Sequence, residues 1–215
     1  MKGGARLDYA AEGRALLERV NLNLPGAPQK YDNANAVYRH PNGATLFVGN
    51  VVIASSRTEL ESLGISRIVF CQDGDDGEGS MTFASDPAFK YLHYPIGRWR
   101  DGRRRGKLED GEAGWRDSVF YGDVLSTPAN TGAYFQRLFD FVEEELECKQ
   151  NVLIHCLAGA HRAGTAGIAC LMYFGNLDAK TATLTAQVAR PVVDPIGDFP
   201  LLLESLDRFR ASERT

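Results

Sequence analysis

Short apolar runs recur along this chain, and each is bounded by polar or turn-forming residues. Four of them are five to seven residues long and rich in β-branched and aromatic residues, which is typical of strands in a protein interior. They are TLFVG from Thr45, ISRIVFC from Ile65, YLHYPI from Tyr91 and NVLIH from Asn151. Gly49-Asn50 ends the first run and Pro95 ends the third, as turn-forming residues do at the ends of strands. The pattern therefore predicts four short strands.

Between these runs the apolar spacing changes to a helical period. The clearest case is Thr131 to Glu147, where apolar residues recur at i, i+4 and glutamates occupy the opposite side. Ala163 to Phe174 is apolar all round, which predicts a buried helix. Further helices are predicted in RTELESLGIS, with Gly64 as its C-cap, in LDAKTATLTAQVAR and in DFPLLLESLDRFR. Strands alternating with helices predict an α/β fold with a central, mostly parallel sheet flanked by helices.

Residues 1–43 look like an N-terminal extension. A helix is predicted from about Tyr9 to Val20, and a linker rich in Pro, Gly and Asn is predicted from Pro25 to Gly43. One domain is predicted over residues 44–212, with a loop insertion at about 97–122. A chain of 215 residues is long enough for one such domain and too short for two large ones.

Composition excludes several classes of function. The formal net charge is −4, which argues against a general nucleic-acid binder. No apolar run approaches the length of a membrane span, and the N-terminus lacks the apolar core of a signal peptide, so we expect a cytoplasmic location, with the nucleus as the alternative. The four Cys residues form no CxxC pair and no disulfide framework, so we expect no zinc site. Oligomeric state is left open.

The chemistry concentrates in the stretch HCLAGAHRAGT, from His155 to Thr165, between the last predicted strand and the buried helix. Cys156 therefore lies at the carboxyl edge of the sheet and at a helix N-terminus, where free N–H groups and positive potential favour an anion. Such a setting lowers the pKa of a thiol from about 8.5 to roughly 3.5–7.5. The stretch predicts either an activated thiolate or a phosphate site, against the ordinary alternative of a buried inert Cys.

The residues after Cys156 suit a phosphate. Gly159 allows the loop to bend so that successive N–H groups point inward, and the planar fork of Arg162 can hold two phosphate oxygens. His155 can support the loop by hydrogen bonding around the thiol. The predicted substrate-binding segment is Leu157, Ala158, Gly159, Ala160, His161 and Arg162.

His155-Cys156-x-x-Gly159-x-x-Arg162 matches the HCxxGxxR signature of the cysteine-dependent protein phosphatases, and the flanking segments resemble the dual-specificity branch. The resemblance extends over roughly residues 44–210, from TLFVGNVVIAS to RPVVDPIGDFPLLLESLDRF. It implies a protein-tyrosine-phosphatase-like fold, no metal or other cofactor, and a phosphoprotein substrate carrying phosphotyrosine or phosphoserine/threonine. It also implies that Cys156 forms a phosphocysteine, that Arg162 stabilises the phosphoryl oxygens, and that an Asp protonates the leaving oxygen.

Three residues are candidates for that acid, because the insertion displaces the usual position. Asp123 is favoured, since it precedes the helix near Thr131 in the order that the family shows. Asp101 and Asp117 are the alternatives, and all three could instead be solvated loop carboxylates.

Ala163 departs from the family, in which a Ser or Thr usually follows the Arg and assists breakdown of the phosphocysteine. The resemblance then implies slow turnover, and it leaves open a phosphoglucan or phosphoinositide phosphatase of the same fold, or a phospho-binding protein without activity. Leu157 and Ala160 occupy the positions at which phosphoinositide phosphatases carry Lys, so a phosphoinositide substrate is disfavoured. The basic segment RWRDGRRRGK is either a solvated loop or a docking patch for a polyanion.

Overall fold

A computed structural model describes residues 7–21, 32–73, 81–99 and 123–214. Five strands form one sheet in the order β1-β2-β5-β3-β4. β1 is antiparallel to β2, and the other pairs are parallel. The strand bounds are Ala34–Arg39 (β1), Thr45–Gly49 (β2), Ile65–Phe70 (β3), Lys90–His93 (β4) and Asn151–His155 (β5).

The helices cover both faces of this sheet. Their bounds are Tyr9–Asn21 (α1), Val51–Ala54 (α2), Arg57–Ser62 (α3), Pro128–Glu147 (α4), Arg162–Phe174 (α5), Ala179–Ala189 (α6) and Phe199–Glu213 (α7), and a 3₁₀ turn spans Ile96–Arg98. The larger core joins one face of the sheet to α4, α5 and α7. The smaller core packs α2 and α3 on the other face, around Ile68 and Leu153.

Local sequence accounts for where the main helices begin. The Thr127 side chain accepts a hydrogen bond from the N–H of Asn130, and Pro128 occupies the first turn of α4, where its missing N–H costs nothing. Asp178 caps α6 in the same way through the N–H of Thr181. Eleven residues of α5 are buried, as its apolar composition predicts. α5 therefore lies inside the molecule, and its N-terminus is held rigidly at the edge of the sheet.

The four predicted strands and the mostly parallel sheet flanked by helices are confirmed. The linker predicted from Pro25 to Gly43 is wrong over Ala34–Arg39, which form β1 and pair with β2. That segment, ANAVYR, has one buried residue, Val37, because it lies at the edge of the sheet. Most side chains of such an edge strand are at least partly exposed to solvent and need not be apolar, so its sequence resembles that of a loop.

No helix within the described ranges is both long enough and apolar enough to cross a membrane.

Candidate active site

The loop from Cys156 to His161 joins the end of the central strand β5 to the start of the buried helix α5. Cys156 is 3% exposed, so its thiol lies just beneath the surface at the carboxyl edge of the sheet. Gly159 has a φ of 67°, and a Cβ there would collide with the carbonyl oxygen of Gly49. Glycine is therefore required at this point of the loop for backbone conformation and for close approach to β2.

Arg190, which follows α6, holds the loop from behind. Its guanidinium is fully buried and donates to the carbonyl oxygens of Gly159 (Nε, 2.8 Å) and Ala158 (Nη2, 3.1 Å). Its Nη1 donates to the Asp32 carbonyl at 2.9 Å and to Asn35 Oδ1 at 2.6 Å. One side chain thus ties the loop to β1 and to the segment just before it.

The other loop carbonyls are also bound on the outer side. The Leu157 carbonyl accepts from the N–H of Val51 at 3.0 Å, and the Ala160 carbonyl accepts from the N–H of Asp194 at 3.2 Å. The His161 ring reaches the same segment, because its Nδ1 lies 2.7 Å from the Asp194 carbonyl oxygen. The loop is therefore held by α2 on one side and by the segment after α6 on the other.

These contacts determine where the loop N–H groups point. In a trans peptide the C=O and the N–H of one unit point in opposite directions. Since the carbonyls from Leu157 to Ala160 are held outward, the N–H groups of the next residues, from Ala158 to His161, are directed inward. Successive inward N–H groups beside a helix N-terminus form a nest for an anion.

Arg162, the first residue of α5, is 1% exposed, and its Nη1 lies 3.6 Å from Oδ2 of buried Asp73. Asp73 comes three residues after β3, at the same edge of the sheet. A Cβ at Gly97 would collide with its carboxylate, so Gly97 leaves the space that Asp73 occupies beside Arg162. The pair brings a buried carboxylate against the guanidinium that is predicted to hold phosphate.

His155 is buried at the end of β5, with its ring 5.4 Å from that of Phe70. Burial, together with a smaller effect of the nearby Arg162 charge, lowers the pKa of His155 to about 3. The imidazole is therefore neutral at physiological pH, and it supports the loop as an uncharged packed group. Burial also raises the pKa of Cys71 well above its ordinary value, and the neighbouring Cys156 adds to the effect.

Ala163 is fully buried in the larger core, where a methyl group packs without a polar partner. Thr165 has the next hydroxyl along α5, and its Oγ1 donates to the His161 carbonyl oxygen at 2.7 Å. Ala163 carries no hydroxyl, and the hydroxyl of Thr165 is used inside the helix.

Of the three candidate acids, only Asp123 lies among the residues that the structure describes. Asp101 and Asp117 lie outside the described residues, as does most of the basic segment. Asp123 is half-buried before α4, where its Oδ1 accepts from the N–H of Leu125 at 3.3 Å and its carbonyl accepts from Asn130 Nδ2 at 3.1 Å. These contacts shape the turn that starts α4, and the role of Asp123 as an acid stays a prediction.

Helix α1 packs directly beside the loop. Leu16 is in a small core with Ala158 and Ala160, and Gly13 lies against the side chain of Leu157. At the start of α1, the ring of Tyr9 stacks on the ring of Phe199 in α7, with 4.6 Å between the ring centres. Part of the N-terminal segment thus packs against the active-site loop.

Sequence reasoning missed Asp73 and Arg190. Asp73 was missed because it belongs to an acidic stretch whose sequence is typical of a solvated loop. The one available signal was its position just after a predicted strand, because ligands bind at the carboxyl edge of such sheets. Nothing local marks Arg190, because its partners lie about 30 and 155 positions away in sequence.

The sequence and the fold are similar to those of known proteins. The sequence model described as "Dual specificity phosphatase, catalytic domain" matches residues 46–203. Human DUSP28 is 18% identical with a TM-score of 0.56, and the match covers 86% of this chain and 97% of that one.

Two further solved structures are similar over most of this chain. A leucine rich repeat and phosphatase domain containing protein from Entamoeba histolytica is 17% identical, with a TM-score of 0.56 and coverage of 85% and 96%. The human tyrosine phosphatase-like serine/threonine/tyrosine-interacting protein is 19% identical, with a TM-score of 0.54 and coverage of 79% and 93%. At these identities the structural matches show the fold alone.

Proposed function

Because the chain belongs to the dual specificity phosphatase family, we propose that it hydrolyses phosphotyrosine and phosphoserine/threonine esters of proteins through a phosphocysteine intermediate. The observation that carries this proposal is that the carbonyls from Leu157 to Ala160 are all hydrogen-bonded to surrounding segments. This arrangement supports an inward direction for the N–H groups of the following residues. A phosphoryl group fits such a cradle because its three equatorial oxygens accept hydrogen bonds.

In the first step the Cys156 thiolate attacks phosphorus. An S–P bond forms, the ester P–O bond breaks, and Asp123 gives its proton to the leaving oxygen. Arg162 and the loop N–H groups bind the equatorial oxygens as their charge redistributes. Asp73 keeps the guanidinium in place through the buried ion pair.

In the second step water attacks the phosphocysteine. Asp123, now ionised, accepts a proton from that water, the S–P bond breaks, and inorganic phosphate leaves together with a regenerated thiolate. Ala163 offers no hydroxyl to the sulfur as it departs, so this step is expected to limit turnover.

The nucleophile is tested with Cys156→Ser, measured on an aryl phosphate and on a phosphotyrosine peptide. We expect the rate to fall by at least about a thousandfold, because a serine hydroxyl is not ionised at neutral pH. Cys148→Ser is the matched control, since Cys148 is an exposed cysteine at the end of α4. Full activity of Cys156→Ser would overturn the mechanism.

The acid is tested by comparing Asp123→Ala with Asp101→Ala and Asp117→Ala. Loss of a proton donor slows release of a phenolate of high pKa much more than release of nitrophenolate. The comparison uses kcat/KM, which reports the steps up to release of the leaving group and not the later hydrolysis of the phosphocysteine. We expect the kcat/KM of Asp123→Ala to fall about a hundredfold on a phosphotyrosine peptide and far less on nitrophenyl phosphate. The same selective loss in one of the other variants would move the role to that residue.

Ala163 also favours a second candidate, a protein that binds phosphorylated partners and turns over slowly or not at all. Rapid-mixing kinetics with an aryl phosphate separates the two. A stoichiometric burst of phenol followed by slow turnover supports the phosphatase, and phosphopeptide binding without a burst supports the binding protein. Ala163→Ser is expected to raise the rate after the burst.

A further inference from the structure

A groove lies between α6 and α7, outside the candidate active site, and has a volume of about 480 Å³. Its apolar lining includes Leu184, Pro195, Pro200 and Leu203. Leu184 is 54% exposed, so its side chain offers apolar surface in the groove. We refer to this feature, defined by these four residues, as the α6–α7 groove.

The groove carries net negative charge. Asp178, Glu204 and Asp207 contribute carboxylates to its lining, against a single ammonium from Lys180. Hydrogen bonds from the backbone and side chain of Thr181 lower the pKa of Asp178, so that carboxylate stays ionised. An apolar lining combined with this charge attracts chains that carry apolar and basic residues, and it repels acidic ones.

The groove shares a segment with the active-site loop. Pro195 lines the groove, and the preceding residue, Asp194, binds the Ala160 carbonyl and the His161 ring. A chain lying in the groove therefore approaches the segment that supports the phosphate cradle. This continuity favours the substrate itself as the occupant over an unrelated partner.

We propose that the α6–α7 groove docks a segment of the phosphoprotein substrate that presents apolar side chains flanked by Arg or Lys. The proposal rests on the proposed function, because it assigns the groove to that function's substrate. Apolar side chains fill the groove, and the flanking cations pair with Glu204 and Asp207. Docking acts on the affinity for long substrates, and the phosphoryl chemistry stays with Cys156 and Arg162.

Binding is measured first without any phosphoryl group, by fluorescence anisotropy of a labelled peptide containing two leucines flanked by arginines. We expect binding that weakens about fivefold in Glu204→Lys and in Leu184→Gln, and that weakens with added salt because the pairing is electrostatic. The matched controls are Glu213→Lys on α7 and Val188→Gln on α6, which lie outside the groove lining and are exposed. The controls are expected to bind the peptide as the wild type does.

Catalysis is measured next, on nitrophenyl phosphate and on a phosphotyrosine peptide extended by the same docking segment. The groove variants are expected to raise KM about fivefold for the long substrate and to leave nitrophenyl phosphate hydrolysis unchanged. If nitrophenyl phosphate is not hydrolysed by the wild type, the proposed function fails, while peptide binding still decides whether the groove binds basic apolar chains.

Three outcomes would overturn the docking proposal: no peptide binding, equal weakening in the control variants, or tighter binding of an acidic peptide. Sedimentation that shows a dimer dissociated by Leu184→Gln would do the same, because a second copy of this chain would then be the occupant.

Discussion

The buried guanidinium of Arg162 has two possible anionic partners, the carboxylate of Asp73 and a phosphoryl group bound in the loop. Without an anion in the cradle, Asp73 supplies the negative charge that a buried Arg needs, at 3.6 Å. A bound phosphoryl group brings negative charge to the same side chain. Asp73 therefore stabilises the empty site more than it stabilises the occupied one.

Asp73→Asn is expected to lower the free energy of unfolding by about 3 kcal/mol, since it removes one partner of a buried ion pair. In saturating phosphate the deficit should shrink, because the phosphate replaces the missing charge. Denaturant unfolding with and without phosphate measures both values, with exposed Glu147→Gln as the control. An equal deficit under the two conditions would contradict the role given to Asp73.

His155 makes stability depend on pH. Its pKa in the folded chain is about 3, below the value of about 6.5 in an unfolded chain. Between these values the unfolded state binds the extra proton, so stability falls as the pH falls from about 6.5 toward 3. From about pH 7 to pH 5 the loss is about 2 kcal/mol.

The check is to measure the free energy of unfolding against pH for the wild type and for His155→Asn. We expect His155→Asn to be less stable at neutral pH, because a packed ring is lost, but to have a shallower slope between about pH 7 and 5. Parallel slopes in the two proteins would contradict the assignment of this pH dependence to His155.

At the scale of elements, α1 connects the N-terminal segment to the site. Leu16 is 9% exposed and packs on Ala158 and Ala160 of the active-site loop. The helix itself was predicted, but its docking was not. Its apolar residues show that one face is buried somewhere, and they do not specify the surface that buries it.

Leu16→Ala is expected to lower the free energy of unfolding by about 2 kcal/mol, through lost burial and a small cavity. It should also weaken phosphate binding severalfold, because the loop loses part of its support. Ala15→Ser, at the exposed neighbouring position, is the control, with an expected change of a few tenths of a kcal/mol. Unaltered phosphate affinity in Leu16→Ala would show that α1 only adds stability.

Elements with strong local signals were predicted most accurately. The helix predicted from Thr131 to Glu147 is observed as α4, Pro128–Glu147, and Gly64 adopts a φ of 61° at the end of α3. β1 was missed because it lies at the edge of the sheet and only Val37 is buried. The alternation of apolar and polar residues reflects which side chains are buried. An element with few buried side chains therefore shows little of this alternation in its sequence.

At the scale of the whole molecule, anion binding and folding are linked. The cradle exists only in the folded chain, so a ligand that fills it stabilises that state. Inorganic phosphate at about a hundred times its Kd is expected to add about 2.7 kcal/mol, which corresponds to a rise in Tm of roughly 5–10 °C. Arg162→Ala should lose most of this rise, and the measurement is a thermal scan with chloride of matched ionic strength as the control. A rise that survives in Arg162→Ala would place phosphate elsewhere.

The sequence by itself determined the sheet's four main strands, the buried helix α5, and the order and spacing of His155, Cys156, Gly159 and Arg162. These features are local, because a strand, a turn and a helix N-terminus each depend on a few neighbouring residues. Only the tertiary structure decided that Asp73 faces Arg162, that Arg190 holds the Ala158 and Gly159 carbonyls, and that α1 supports the loop. Those contacts join residues far apart in the chain, and they depend on how the sheet and helices pack, which no local pattern records.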